Sequence, residues 1–122
     1  MLAMFGTFDG ERQTGLVAFR QSEGLKAAHR GDLVQMYVRP EARGTGCAMA
    51  LVEQVLAHAT PLVEQVHLTV SADNAPAIRL YEKAGFTTYG TEPRALKVDG
   101  RYIDEHLMVR FLEGARKEEH NG

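Results

Sequence analysis

Several features that would point to particular functions are scarce in this sequence. It has one cysteine, Cys47, in 122 residues, which excludes an intrachain disulfide and a thiolate metal cluster. An excess of one charge sign is also missing. Lys and Arg number 14 against 16 Asp and Glu, a net charge of -2, so there is no broad positive field to hold nucleic acid. No apolar run approaches the roughly 20 residues of a membrane span, so neither a nucleic-acid partner nor a membrane is expected. The opening, Met1-Leu2-Ala3-Met4-Phe5-Gly6, lacks the basic start and cleavage site of a secretory signal. The cytoplasm is the expected compartment. The five histidines show no metal-ligand spacing, so no metal is expected. There is no internal repeat and no low-complexity segment.

What is present suits one domain. The apolar fraction is 44%, enough for a core, although stability at this length depends on good packing. Leu2–Phe8 is apolar and aromatic, and Asp9-Gly10 signals a turn. Gly15–Arg20 is a second strand candidate and Leu33–Val38 a third, stopped by Pro40. The polar stretch between them, Gln21–Asp32, is either a hairpin loop or strand ends reaching into solvent. This opening reads as an antiparallel meander. The period then changes. Ala48, Leu51, Val52, Val55, Leu56 and Ala59 fall on one helical face, and Pro61 closes that region. Val66, Leu68 and Val70 alternate with His67 and Thr69, as a half-buried strand requires. Strand, helix, strand implies a parallel pair with a right-handed crossover. Asp73 or Asn74 can cap a second helix, with Pro76 in its first turn and Gly85 at its end. Phe86–Tyr89 is a strand, Asp99-Gly100 a turn, and Tyr102–Phe111 the last strand. The fold class is α/β with a mixed sheet, in one domain over residues 1–112. The charged tail, residues 113–122, is expected to fray.

The chemistry concentrates where the third strand meets the first helix, in Arg39-Pro40-Glu41-Ala42-Arg43-Gly44-Thr45-Gly46-Cys47-Ala48. The glycines allow a tight backbone curve. The helix that follows starts with unpaired N–H groups and a partial positive charge. Together these suit a phosphate or pyrophosphate, and Arg43 could add a charge-assisted bond. Taken alone, the same residues fit a plain tight turn equally well. The Gly-Lys-Ser/Thr ending of a P-loop is absent. So are the third glycine and distal acid of a dinucleotide fingerprint.

Arg43-Gly44-Thr45-Gly46-Cys47-Ala48 resembles the Gln/Arg-x-x-Gly-x-Gly/Ala signature of the GNAT N-acetyltransferases. Asn74-Ala75-Pro76-Ala77-Ile78-Arg79-Leu80-Tyr81-Glu82-Lys83-Ala84-Gly85-Phe86 is similar to that family's second motif, Asn-x-x-Ala-x-x-Leu-Tyr-x-x-x-Gly-Phe. The two stand in the family's order and separation. The resemblance implies a GNAT acyl-CoA N-acyltransferase fold that uses acetyl-CoA as cosubstrate and an amine as acceptor. It implies an acetyl-CoA cleft where the strands Leu33–Val38 and Val66–Ser71 diverge. It further implies that the backbone about Met36, Tyr37 and Val38 pairs with the pantetheine arm. By the same resemblance, amides of Arg43, Gly44, Thr45, Gly46, Cys47 and Ala48 hold the pyrophosphate. Asn74 then bonds the cofactor near its thioester end, and Tyr81 stands by the sulfur as the acid that protonates the leaving thiolate. From spacing alone, Tyr81 fits a core position with its hydroxyl at the surface, and Asn74 a plain helix cap. Cys47 has no base beside it in sequence and reads as a small buried residue at the helix start.

Two parts of the family pattern are absent. Many members carry a Glu on the strand before the phosphate loop, whereas Leu33–Val38 contains no acid. Asp32, His67, Glu105 and His106 remain as candidates for the base, each with an ordinary surface or network role open to it. The family also begins with a strand and two helices that this sequence does not show. An N-terminally short member is therefore expected, with an unpaired first-strand edge, an open acceptor cleft and a homodimer or swapped assembly. Glu92, Arg94, Lys97 and Arg101, between the last two strands, either read a polar substrate or form a solvated hairpin. Two alternatives stand beside the transferase: an acetyl-CoA-binding module without its own acceptor site, acting through assembly or sensing, and a domain that uses the loop for ATP.

Overall fold

A computed structural model describes residues 2–112. Six strands form one mixed sheet in the order β1-β2-β3-β4-β6-β5, with two α-helices. The strands are β1 (Leu2–Asp9), β2 (Arg12–Gln21), β3 (Arg30–Val38), β4 (Gln65–Ser71), β5 (Thr87–Val98) and β6 (Arg101–Phe111). The helices are α1 (Cys47–Ala59) and α2 (Ala75–Lys83), and a 3-10 turn covers Pro40–Ala42. No described helix is long and apolar enough to cross a membrane. The expected tail, residues 113–122, lies outside the described residues. The chain divides into two compact units. The first holds the residues up to Val66 together with Phe111 and Leu112, and the second holds His67–Arg110.

In the first unit, β1, β2 and β3 form the antiparallel meander that the three strand candidates and their turn signals predict. The polar stretch after β2 resolves into both of its readings. β2 runs to Gln21 and β3 starts at Arg30, and a turn between them closes with Ala28 donating to the Gly24 carbonyl at 2.9 Å. Helix α1 packs on β1, β2 and β3. Its apolar stripe explains why: Leu51, Val52, Val55, Leu56 and Ala59 are buried, with Val17, Ala18 and Phe19 of β2. Each large side chain withdrawn from water contributes roughly 1.5–3 kcal/mol. Close approach of helix and sheet is set at Gly15, where a Cβ would stand 2.9 Å from Leu51 and 3.0 Å from the Cys47 sulfur. Thr60 ends α1, its hydroxyl donating to the Leu56 carbonyl at 2.6 Å.

In the second unit, Leu68, Val70, Tyr81, Phe86, Met108 and Val109 are buried. Asn74 caps α2, and the Ala77 amide donates to its side-chain oxygen at 3.3 Å. At the other end Phe86 donates to the Tyr81 carbonyl at 2.9 Å and Gly85 to that of Glu82 at 3.0 Å, a helix-closing pattern with Gly85 at φ 94°. β5 and β6 form a long antiparallel hairpin. Its turn is Asp99-Gly100, with φ of 51° and 78°, the mirror-image turn that matches strand twist. The sequence suggests a strand over Phe86–Tyr89, whereas β5 continues to Val98. Two register shifts, between Thr88 and Gly90 and between Glu92 and Leu96, break the alternation. The segment is also exposed on both faces, which removes the apolar signal that marks a strand.

Candidate active site

In the first unit, the connection from β3 to α1 leaves backbone N–H groups open at the start of a helix. After β3, the Pro40–Ala42 turn closes with Ala42 donating to the Arg39 carbonyl at 2.9 Å. Gly44 and Gly46 take φ of 80° and 86°, left-handed values that ordinary residues adopt only at a cost. Gly46 is the N-cap of α1 and provides no side-chain acceptor. The first-turn amides, from Cys47 on, therefore keep their N–H groups unpaired by a cap. No acid sits in that turn, so the positive end of the helix dipole is uncompensated. A Cβ at Gly44 or Gly46 would meet nothing within 4 Å. Glycine is thus demanded by conformation, and the space above the loop is open to a ligand. Thr45 turns its hydroxyl inward to the Ala42 carbonyl. Arg43 directs its Nε to the Val38 carbonyl at 3.3 Å, with the residue exposed. Glu41 is paired with Arg12. Its carboxyl is held below the usual range, first by a hydrogen bond from its own backbone, then by Arg12 and Arg39.

Cys47 faces β1 and β2. Its sulfur is 2.8 Å from the Thr7 hydroxyl, and Thr14 donates to Thr7 at 3.0 Å. This polar cluster, together with Thr45 and Gly46, lines one side of a cavity of about 520 Å³. Cys47 is half-buried, not fully buried as the sequence suggests, because the cavity opens beside it.

One feature gave no sequence signal. Leu16 pairs with Tyr37 and Ala18 with Val34, so Val17 alone opposes both Gln35 and Met36. This is a bulge in β3, and Gln35 holds φ 56°. A non-glycine residue in that region is uncommon and carries strain. The bulge takes one peptide out of the β2–β3 ladder just before Tyr37 and Val38. Met36 and Val38 are half-buried and Tyr37 is exposed.

The second unit carries Asn74 and Tyr81 on one helix, seven residues apart and so about 10 Å along its axis. Asn74 is exposed, and capping engages only its oxygen. Tyr81 is 6% exposed and meets the Phe86 ring edge-on at 6.0 Å. Burial raises the Tyr81 phenol above its ordinary value of 10.0, so it keeps its proton at neutral pH. Among the described residues its hydroxyl has no hydrogen-bond partner.

The base candidates separate clearly. Asp32 lies at the start of β3 with Arg20 at 4.0 Å and Arg30 at 3.9 Å. His67 is buried, with its Nδ1 3.3 Å from the Tyr89 hydroxyl. His106 has its Nδ1 2.9 Å from the Thr91 hydroxyl, and Glu105 stands opposite Glu92.

A strand exit, a two-glycine turn and an uncapped helix start stand together at the β3–α1 connection of a mixed α/β fold. The sequence model of the acetyltransferase (GNAT) family matches residues 2–86, and the chain belongs to that family. It is 44% identical over 48 residues, 39% of this chain and 30% of the relative, to an L-amino acid N-acetyltransferase, AaaT, of Escherichia coli. It is 27% identical over 100 residues to a spermidine N(1)-acetyltransferase of Vibrio cholerae, covering 80% of this chain and 58% of the relative. The fold matches yncA from Salmonella typhimurium, solved with its cofactor acetyl-CoA, at TM-score 0.82 and 22% identity over 89% of this chain and 64% of that one. The chain thus spans less than two thirds of each of these proteins.

Proposed function

We propose that this chain binds acetyl-CoA and transfers its acetyl group to an amine by direct attack within a ternary complex. The observation that carries the reading is the α1 start: unpaired first-turn amides beneath two left-handed glycines, open to an anion. In this reading the amides of residues 43–48 hold the pyrophosphate. The bulge at Gln35 and Met36 frees backbone on β3 for the pantetheine arm, with Tyr37 and Val38 beside it. Asn74 uses its amide nitrogen near the thioester. The amine lone pair attacks the thioester carbon, the C–S bond breaks, and the leaving sulfur takes the Tyr81 proton. The amine loses its own proton to water, since Asp32 is occupied by two arginines. The relatives' names give acceptors as different as amino acids and spermidine, so family membership leaves the acceptor open.

The proposal includes a homodimer and a cytoplasmic location. The alternative, an acetyl-CoA module whose acceptor site is not its own, draws on one observation: Leu33–Val38 of β3 contains no acid. Calorimetric titration with acetyl-CoA, CoA and ATP tests the first step. Binding of both CoA species, lost in Gly46→Val, is expected. No heat with either CoA species, or equal binding of ATP, would sink the reading. Turnover across an amine panel then separates the transferase from the module.

A further inference from the structure

The β5–β6 hairpin carries a charged cluster that the reaction above does not use. Lys97 and Tyr102 face each other across the ladder, with the Lys97 ammonium 5.2 Å from the ring centre. The Arg94 guanidinium carbon stands 5.1 Å from the same centre. Both lie within the roughly 6 Å reach of a cation over a ring. All three residues are exposed. Among the described residues, neither cation is paired with a carboxylate.

Arg94 is held there against its own backbone preference. Pro93, Arg94 and Ala95 together oppose the single residue Asp104, and Arg94 sits at φ 54°, unfavourable for a residue with a Cβ. The Asp104 carboxylate stabilises the bulge by accepting from the Arg94 amide at 2.9 Å. Asp104 thus directs its carboxylate to the Arg94 backbone, and the guanidinium forms no ion pair with it. Asp104 also accepts at its carbonyl from the Ala72 amide at 2.8 Å, and Arg101, next to Tyr102, stands 4.0 Å from Asp73. Ala72 and Asp73 lead directly into Asn74. The strained bulge, the two cations and the loop that ends at Asn74 are one connected piece of the second unit.

Two cations without a carboxylate ion-pair partner among the described residues, beside one exposed ring, attract an anion. The planar fork of the guanidinium matches a carboxylate in particular. We propose that Arg94, Lys97 and Tyr102 read a carboxylate on the acceptor, so that the acceptors are amines that also bear a carboxylate. This rests on the acetyltransferase reading above.

The test uses the full 122-residue chain, 15N-labelled and titrated without cofactor at constant ionic strength. The probes are N-acetylglycine, N-acetylglycinamide and inorganic phosphate. Saturable shifts at Arg94, Lys97 and Tyr102 are expected with N-acetylglycine and not with the amide. They vanish in the double variant Arg94→Gln/Lys97→Gln. No saturable shift, an equal response to the amide, or a stronger response to phosphate overturns the proposal. In turnover, amines paired with and without a carboxylate are expected to differ by about ten- to a hundredfold in kcat/KM, as suits a hydrogen bond to a charged group. The double variant narrows that ratio to within about twofold through KM, leaving kcat in place. Equal kcat/KM within pairs, or no turnover of any carboxylated amine, overturns it. Failure of the acetyltransferase reading shows separately as absent acetyl-CoA binding, because the N-acetylglycine titration needs no cofactor.

Discussion

Tyr81 brings two properties together: a buried ring and a hydroxyl with no partner among the described residues. Burial penalises the phenolate, so the folded state holds the Tyr81 proton above the ordinary value of 10.0 while the unfolded chain releases it there. The native state then binds more protons than the unfolded one in a window that begins near that value. Stability must fall as pH rises through the window, and Tyr81→Phe should remove that part of the alkaline slope in urea melts taken from pH 8 to 11. If the same hydroxyl protonates the leaving sulfur, Tyr81→Phe lowers kcat by on the order of a hundredfold. An unchanged kcat across the pH range would remove Tyr81 from the chemistry. Gln35 gives a second test at this scale. Its φ of 56° excludes β-branched residues in comfort, so Gln35→Val should cost about 1–2 kcal/mol in urea unfolding, while Gln35→Gly is tolerated. The buried helical position of Tyr81 was legible because its motif fixes helical spacing up to Gly85-Phe86. Gln35 was not, because no glycine marks the bulge and the strain comes from pairing with β2.

The loop and the helix starts carry the next scale. The two helices begin differently: α1 on a glycine that leaves its amides free, and α2 on Asn74, whose oxygen closes one of them. That contrast separates stability from binding. Asn74→Ala should destabilise by about 1 kcal/mol, the usual loss of a cap, and also weaken acetyl-CoA. Asn74→Asp should restore the cap yet not the affinity, since it lacks the amide donor. Equal affinity in Asn74→Asp and the parent, read by calorimetry, would leave Asn74 as a cap alone. Both helices and the first four strands could be read from period and caps, within a few residues at their ends. Of β5 only the start could, because its bulges and two-sided exposure erase the alternation beyond Tyr89, and its length depends on pairing with β6. The Arg94 bulge was hidden for the same reason, although its charges were visible.

At the scale of the whole molecule, β1 stands at one end of the strand order. It pairs with β2 along one side, and its other side has no strand partner among the described residues. Leu2 and Met4 are 55% and 53% exposed on it, and alternate residues of a strand share a face. An apolar edge of this kind invites a second chain, and two copies meeting at β1 would satisfy the free backbone groups and cover Leu2 and Met4 together. The proposed homodimer would use this edge. Light scattering on a sizing column is expected to give twice the chain mass at micromolar concentration. Met4→Lys, which places a charge on the edge without touching the buried stripe of α1, should give a monomer with unchanged circular dichroism and unchanged acetyl-CoA affinity. A monomeric parent would sink the edge assembly. A dimer that survives Met4→Lys would move the contact to another surface, and the exposed β5–β6 hairpin would be the next face to substitute.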